Sequence, residues 1–238
     1  MAHIDSGKPR AGCRDIWNSF MVEGVKFCEF DMPYCPTTAL SLPNRIVTWV
    51  EAKDICRRMR REFGGEFHVD AFVCFYLDDF KFDSSFGIWR RPDSAMKTLR
   101  HFTGIFTPDL SINQDFPLPW KIFNTYRARA FGCWCASQGL EVINNVRWGG
   151  RETWGFCFAG VPRNSIVAIG TVASGLRRLE NRLLFEDGLR ELVRVLNPHT
   201  IIVYGSSNYA CFEKLSSRGI RVVQYDSAAA RRFAKAGV

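Results

Sequence analysis

Several absences narrow this chain before anything present in it is considered. It has only four histidines, His3, His68, His101 and His199, scattered and unpaired. A histidine-based metal centre therefore has no ligand set to draw on. Nine cysteines fall at 13, 28, 35, 56, 74, 133, 135, 157 and 211, and none forms a C-x-x-C pair. The odd count, with several thiols inside apolar runs such as Val73-Cys74-Phe75 and Phe156-Cys157-Phe158, predicts free buried cysteines in a reducing compartment rather than a disulfide framework. No apolar run approaches the roughly 20 residues of a membrane span. Met1 to Lys8 contains no apolar h-region of a secretory leader. The expectation is a cytoplasmic protein with no membrane partner. No Gly-x-Gly-x-x-Gly follows a strand-like run, no P-loop spacing occurs, and no Gly-x-Ser-x-Gly elbow is present. These absences argue against dinucleotide binding, P-loop phosphate chemistry and a serine hydrolase of the elbow type. Repeats and low-complexity linkers are also missing.

What is present is a large apolar inventory. The 238 residues include 20 Phe, 7 Trp and 6 Tyr, and 47% are hydrophobic. A chain of that composition buries a core, so disorder is excluded as its main state. The net charge is +8, which points weakly to an anionic partner. The basic residues gather at Arg57-Arg58-Met59-Arg60-Arg61, at Arg177-Arg178 through Arg182, and at Arg231-Arg232 to Lys235. Each cluster reads equally as a solvated helix face.

From Arg45 onward the sequence alternates short β-branched or aromatic runs with longer helical patterns. Strands are expected at Arg45–Trp49, Val69–Leu77, Gly104–Thr107, Leu140–Val146, Ser165–Gly170, Thr200–Tyr204 and Ile220–Gln224. Helices are expected at about 51–62, 92–101, 117–139, 181–196, 209–217 and 228–236, with a weak one near 151–156. Strands that read as continuous apolar runs between helices imply a parallel sheet. About seven βα units in this length suit a TIM-barrel-like α/β barrel, closed or partly closed, with an open doubly wound sheet as the alternative. Residues 45–238 are expected to form one α/β domain, with 1–44 an extension and loop packing on it.

Parallel βα folds place their sites at the carboxyl ends of the strands, and here those ends are polar. The second strand ends in Leu77-Asp78-Asp79, the third in Thr107-Pro108-Asp109, the fourth in Asn144-Asn145-Val146-Arg147-Trp148, and the sixth in Tyr204-Gly205-Ser206. Asp78, Asp79 and Asp109 are the candidate catalytic carboxylates. Converging carboxylates either divide acid and base roles or hold a hard cation such as Mg²⁺, with Asp78 and Asp109 as ligands. An Asp at a strand end also simply caps the next helix. Arg147 offers bidentate recognition of a phosphate or carboxylate, and Trp148 a surface for a base or sugar. Asn124 and Arg127, early in the long helix, are expected to face Asp109. Asn144, Asn145, Tyr204 and Ser206 complete the expected substrate-binding set.

The segments Phe75–Asp83, Thr107–Ser111, Asn124–Arg127, Val142–Gly149 and Tyr204–Ser206 together resemble the domain of unknown function 4417 family, over about residue 25 to the C-terminus. The resemblance implies a protein of bacteria, phages and other mobile elements. It implies no reaction and assigns no catalytic residue. Two functional readings follow. One is a metal-assisted hydrolase or lyase acting on a phosphorylated or nucleic-acid-derived substrate. The other is a non-catalytic accessory factor of a phage or plasmid that binds nucleic acid or protein through the basic clusters.

Overall fold

A computed structural model describes residues 14–172 and 174–236. His3, Cys13 and the side chain of Lys235 lie outside the described residues. Seven parallel strands alternate with helices: β1 (Ile46–Thr48), α1 (Trp49–Phe63), β2 (Val69–Cys74), α2 (Pro92–Leu99), β3 (Phe102–Phe106), α3 (Leu118–Ser137), β4 (Glu141–Asn145), α4 (Trp154–Cys157), β5 (Ile166–Gly170), α5 (Leu179–Leu196), β6 (Thr200–Tyr204), α6 (Ala210–Ser216), β7 (Arg221–Tyr225) and α7 (Ala228–Lys235). Each strand pairs with the next in sequence, so the sheet order is β1-β2-β3-β4-β5-β6-β7. Parallel crossovers share one hand. With no reversal in the order, they keep the helices on one face and the sheet curls around the other. The result is a half-barrel, open between β1 and β7.

Local chemistry sets the element ends. Thr48 and Glu51 form a capping box at the start of α1, satisfying two otherwise orphaned N–H groups. Asn197, at φ 46°, ends α5 in the left-handed conformation. The run expected as one strand to Leu77 stops pairing at Cys74. Leu77 N–H turns back to donate to Phe75 O at 2.8 Å, which brings the following carboxylates out over the sheet edge.

The two faces of the sheet are both apolar, which is why the strands lack polar alternation. Inside the curl lie Ile46, Phe72, Cys74, Phe106, Ile143, Ala168, Ile202 and Tyr204. Outside, two clusters fill the space under the helices, one built around Val73, Phe75, Ile105, Phe131 and Val142, the other around Val167, Ile169, Leu192, Ile201 and Val203. The curl is tight. Tyr76, just past β2, stacks on Tyr204 of β6 with ring centroids 4.8 Å apart.

The leading segment completes the body. Met21 and Val22 are buried in the outer cluster. Thr38 N–H donates to Val142 O at 2.9 Å, and Thr38 Oγ1 accepts from Val142 N at 2.8 Å. Ala39 and Leu42 then pack against the inner cluster. Across the opening, Tyr225 OH donates to Pro43 O at 2.5 Å, and Arg231 of α7 pairs with Glu51 of α1 at 2.8 Å. A clasp of side chains thus bridges strands that do not pair through their backbones. Among the described residues no helix is long and apolar enough to cross a membrane.

Candidate functional site

The carboxyl ends of β2 to β5 open on a cleft of about 690 Å³. Its lining includes Tyr76, Asp78, Lys81, Asp109, Asn113, Arg147 and Trp148 from the loops after β2, β3 and β4, with Ile169, Val172, Leu184 and Phe185 from β5 and α5. Five polar side chains form a continuous run along it. Tyr76 OH donates to Asn145 Oδ1 at 2.9 Å. Asn145 Nδ2 donates to Asp109 Oδ1 at 2.9 Å. Arg147 Nη1 donates to Asp109 Oδ2 at 2.8 Å and its Nη2 to Asn113 Oδ1 at 3.3 Å. The Arg147 side chain is 36% exposed and that of Asp109 14%, so the pair sits at the cleft surface with one side open. Burial drives the Tyr76 hydroxyl far above its ordinary pKa, and the nearby Asp109 charge adds to this. The Asp109 carboxylate only accepts, so it turns the Asn145 amide nitrogen towards itself and leaves Oδ1 to accept from Tyr76 OH.

Two glycines admit the aromatic rings of the cleft. A Cβ at Gly170 would meet the Tyr76 ring at 2.7 Å, and one at Gly188, inside α5, would meet Trp148 Cδ1 and Nε1 at 2.1 Å. Trp148 also packs on Phe185, with ring centroids 5.1 Å apart. It is a wall of the cleft rather than a free lid.

The structure sorts the sequence candidates into three groups. Asp78, Asp109, Arg147 and Trp148 line the cleft, and Asn145 holds Asp109 within it. A second group braces the site from outside. Asp79 accepts from Ser111 N–H and Oγ, both at 3.0 Å, so it is a cap for the loop after β3. Asn124 Nδ2 donates to Ser111 O at 2.6 Å, and its Oδ1 accepts from Arg127 at 2.6 Å. Arg127 is buried and pairs with Asp83 at 2.7 Å, with Trp89, Trp120 and Phe123 around its guanidinium. Burial raises the Asp83 pKa, and the Arg127 charge works against that rise. A third group lies elsewhere. Asn144 points away from the curl, donating to Cys35 O at 3.0 Å, because strand neighbours face opposite sides. Tyr204 lies inside the half-barrel, where its oxygen accepts from Ala228 N–H at 3.0 Å. Ser206 is exposed, with its Oγ accepting from Asn208 N–H.

The expected Mg²⁺ pair does not gather a ligand set. Asp78 is ion-paired to Lys81 at 2.8 Å and Asp109 to Arg147. Among the described residues no group of three or more His, Cys, Asp or Glu could hold a metal ion.

Sequence reasoning missed Arg129, which carries no motif and lies two positions past Arg127. It is fully buried and donates to Ala159 O, Asn145 O and Cys157 O at 3.2, 3.0 and 3.0 Å. It thus ties the end of β4, and with it Asn145, to the end of α4 and the residue two beyond it. Two of the basic clusters are engaged away from the cleft: Arg57 pairs with Asp54 on the exposed face of α1, and Arg231 with Glu51; Arg177, Arg178 and Arg182 flank the cleft-lining Leu176 and Asn181 but are not themselves in the lining.

The model of the family described as domain of unknown function (DUF4417) matches residues 28–226. The "Gene 1 protein" of Mycobacterium phage D29 is 31% identical over 186 residues, covering 75% of this chain and 65% of the phage protein. The "Gene 1 protein" of Mycobacterium phage L5 is 32% identical over 142 residues, covering 60% and 58%. The chain therefore spans less than two thirds of the length of these curated relatives. No solved structure matches. The matched stretch holds all seven strands and every residue of the cleft, and on that extent the chain belongs to the DUF4417 family.

Proposed function

We propose that the protein is an enzyme acting in this cleft on a small substrate with an anionic end of the phosphate type. The observation that carries this reading is the run Tyr76–Asn145–Asp109–Arg147, tied by hydrogen bonds and opening on a cleft of drug-ligand size. Arg147 has five N–H donors in a planar fork, and only two of its nitrogens are engaged, so it takes the substrate's anionic end. Asp109, held on both oxygens by named donors, is the proton-transferring carboxylate. Such a pair serves hydrolysis or elimination, where one group holds charge and the other moves a proton. A metal-assisted version has less support, because a hard cation needs six or so oxygen ligands and both lining carboxylates already face a cation.

The hollow of about 500 Å³ on the Arg57–Arg61 cluster is lined by Arg57, Arg58 and Arg61 together with Asp54 and Glu62, whose charges offset two of the three arginines, which is why the nucleic-acid-binding reading ranks second. The eight free cysteines among the described residues support placing the activity in the cytoplasm, where thiols stay reduced.

The test is a thermal-shift screen of phosphorylated compounds on the wild type, Arg147→Gln and Asp109→Asn. A compound at about 100 times its Kd raises stability by about 2.7 kcal/mol, and the shift should vanish in Arg147→Gln. Asp109→Asn should still bind and should lose turnover by about 10²- to 10⁴-fold. A full shift in Arg147→Gln, or no shift by any phosphorylated compound in the wild type, would sink the proposal.

A further inference from the structure

The two sides of the cleft differ in chemistry. The loops after β2, β3 and β4 supply Asp78, Lys81, Asp109, Asn113 and Arg147. The opposite side, from β5 to α5, supplies Ile169, Val172, Leu176, Leu184 and Phe185, with Trp148 joining the two. Val172 and Leu184 remain 41% and 42% exposed. Single exposed apolar residues are ordinary, but a contiguous group rimming a polar site marks a place where something apolar docks.

We infer that the substrate carries an alkyl or aryl body behind its anionic end, seated on this β5–α5 wall. The anionic half of the statement rests on the function proposed above; the apolar half stands on the wall itself. A nucleoside body fits less well. Reading a base or a ribose needs side-chain donors and acceptors aimed into the site. The polar side chains on this wall face their own loop: Ser174 Oγ donates to Thr171 O at 2.6 Å, and Asn181 Nδ2 to Gly175 O at 3.3 Å.

The glycine at 188 bears on the same point. A glycine inside a helix weakens it, yet no larger residue fits at this position, because its Cβ would overlap the Trp148 ring. The helix gives up a side chain so that the indole can approach its backbone, and that indole extends the apolar wall towards Arg147. At about 690 Å³ and open on one side, the cleft has room for a small ligand.

Calorimetric titration of the intact protein with inorganic phosphate, methyl phosphate, hexyl phosphate, phenyl phosphate, adenosine monophosphate and hexanol tests this. Each methylene buried on the wall should tighten binding about fourfold. Hexyl phosphate should therefore bind at least about tenfold tighter than methyl phosphate, allowing for partial burial. Leu184→Asn, at a half-exposed position that the fold does not need, should erase most of that gain and leave methyl phosphate unchanged. Val172→Asn should do the same. Equal affinity for methyl and hexyl phosphate overturns the inference while leaving the anion-binding reading intact. Hexanol binding as well as hexyl phosphate keeps the wall and removes the anionic end. Adenosine monophosphate binding tighter than both hexyl and phenyl phosphate overturns the inference in favour of a nucleotide.

Discussion

On the outer side of the sheet, Arg127, Arg129 and Asn124 of α3 and Asn144 of β4 have their polar groups closed in by protein partners. Inside the curl, Arg147, Asn145 and Asp109 are arranged around open space. The residue types are the same and the sequence marks most of them equally. On the outer side the guanidinium of Arg129 is closed over by three backbone carbonyls, and that of Arg127 by Asp83, Asn124 and three aromatic rings. On the inner side Arg147 is more than a third exposed. Burial therefore separates an arginine that holds the fold from one that can hold a ligand. A guanidinium whose terminal nitrogens are already taken in a low-dielectric layer cannot turn to a new anion without leaving buried groups unpaired.

The comparison breaks most readily at Arg129. Replacing it with Met leaves the Ala159 and Cys157 carbonyls without their side-chain donor and Asn145 O with only Thr107 Oγ1 at 3.3 Å, and the expected loss is about 3–5 kcal/mol in urea unfolding followed by tryptophan fluorescence. A loss below about 1 kcal/mol would show that the outer arginine does not brace the fold. Asp83→Asn comes next. It leaves Arg127 without its counter-charge in a site only 6% exposed on the arginine side, and about 2–4 kcal/mol should go. A Gly188→Ala exchange drives a methyl into Trp148. Overpacking of that kind costs about 1–3 kcal/mol, offset by about 1 kcal/mol of helix propensity, and it should shift the emission of the indole even where the net stability change is small.

Smaller effects belong to the partly open groups. Asp109→Asn should change stability by no more than about 1 kcal/mol, since half-open pairs contribute little, and a larger loss would move Asp109 to the bracing side of the comparison. The Glu51–Arg231 clasp gives a pH signature. Burial raises the Glu51 pKa, but hydrogen bonds from Thr48 and Arg231 outweigh it, and the folded value lies below the ordinary one. A group with a depressed folded pKa stabilises the fold fully above its unfolded value, near 4.3, and that contribution is lost as pH falls through the folded value. The wild type should therefore lose up to about 1 kcal/mol below about pH 4 that Glu51→Gln never had. Parallel unfolding curves at pH 3 and pH 7 for the two proteins would show it.

Much of the fold was legible from residues alone. Seven apolar runs, each followed by a helical pattern, specify a parallel sheet because only a sheet covered on both faces needs both faces apolar. The ends of those runs pointed to the cleft: Asp78, Asp109, Arg147 and Trp148 were all found by strand-end position. Alternation along β4 could have separated Asn145 from Asn144, since neighbours on a strand face opposite sides, but which of the two faces the curl depends on the direction in which the sheet bends. Asp79 could not be told from Asp78, because a carboxylate that caps Ser111 and one that lines the cleft are adjacent in sequence and chemically the same. Arg129 left no signal at all; an arginine on a helix reads as solvent-facing, and its three carbonyl partners come from β4, from the end of α4 and from the residue two beyond it.

By itself, then, the sequence determined the elements, their order and the end of the sheet where polar groups collect. All three follow from periodicity and side-chain transfer energies, which act locally. Only the tertiary structure decided that the sheet curls without closing, that Glu51 and Arg231 clasp its open side, and that of several arginines near the mouth Arg147 alone faces the cleft. Those outcomes depend on how tightly elements distant in the chain pack against one another, and close packing is a property of the assembled volume that no single segment carries.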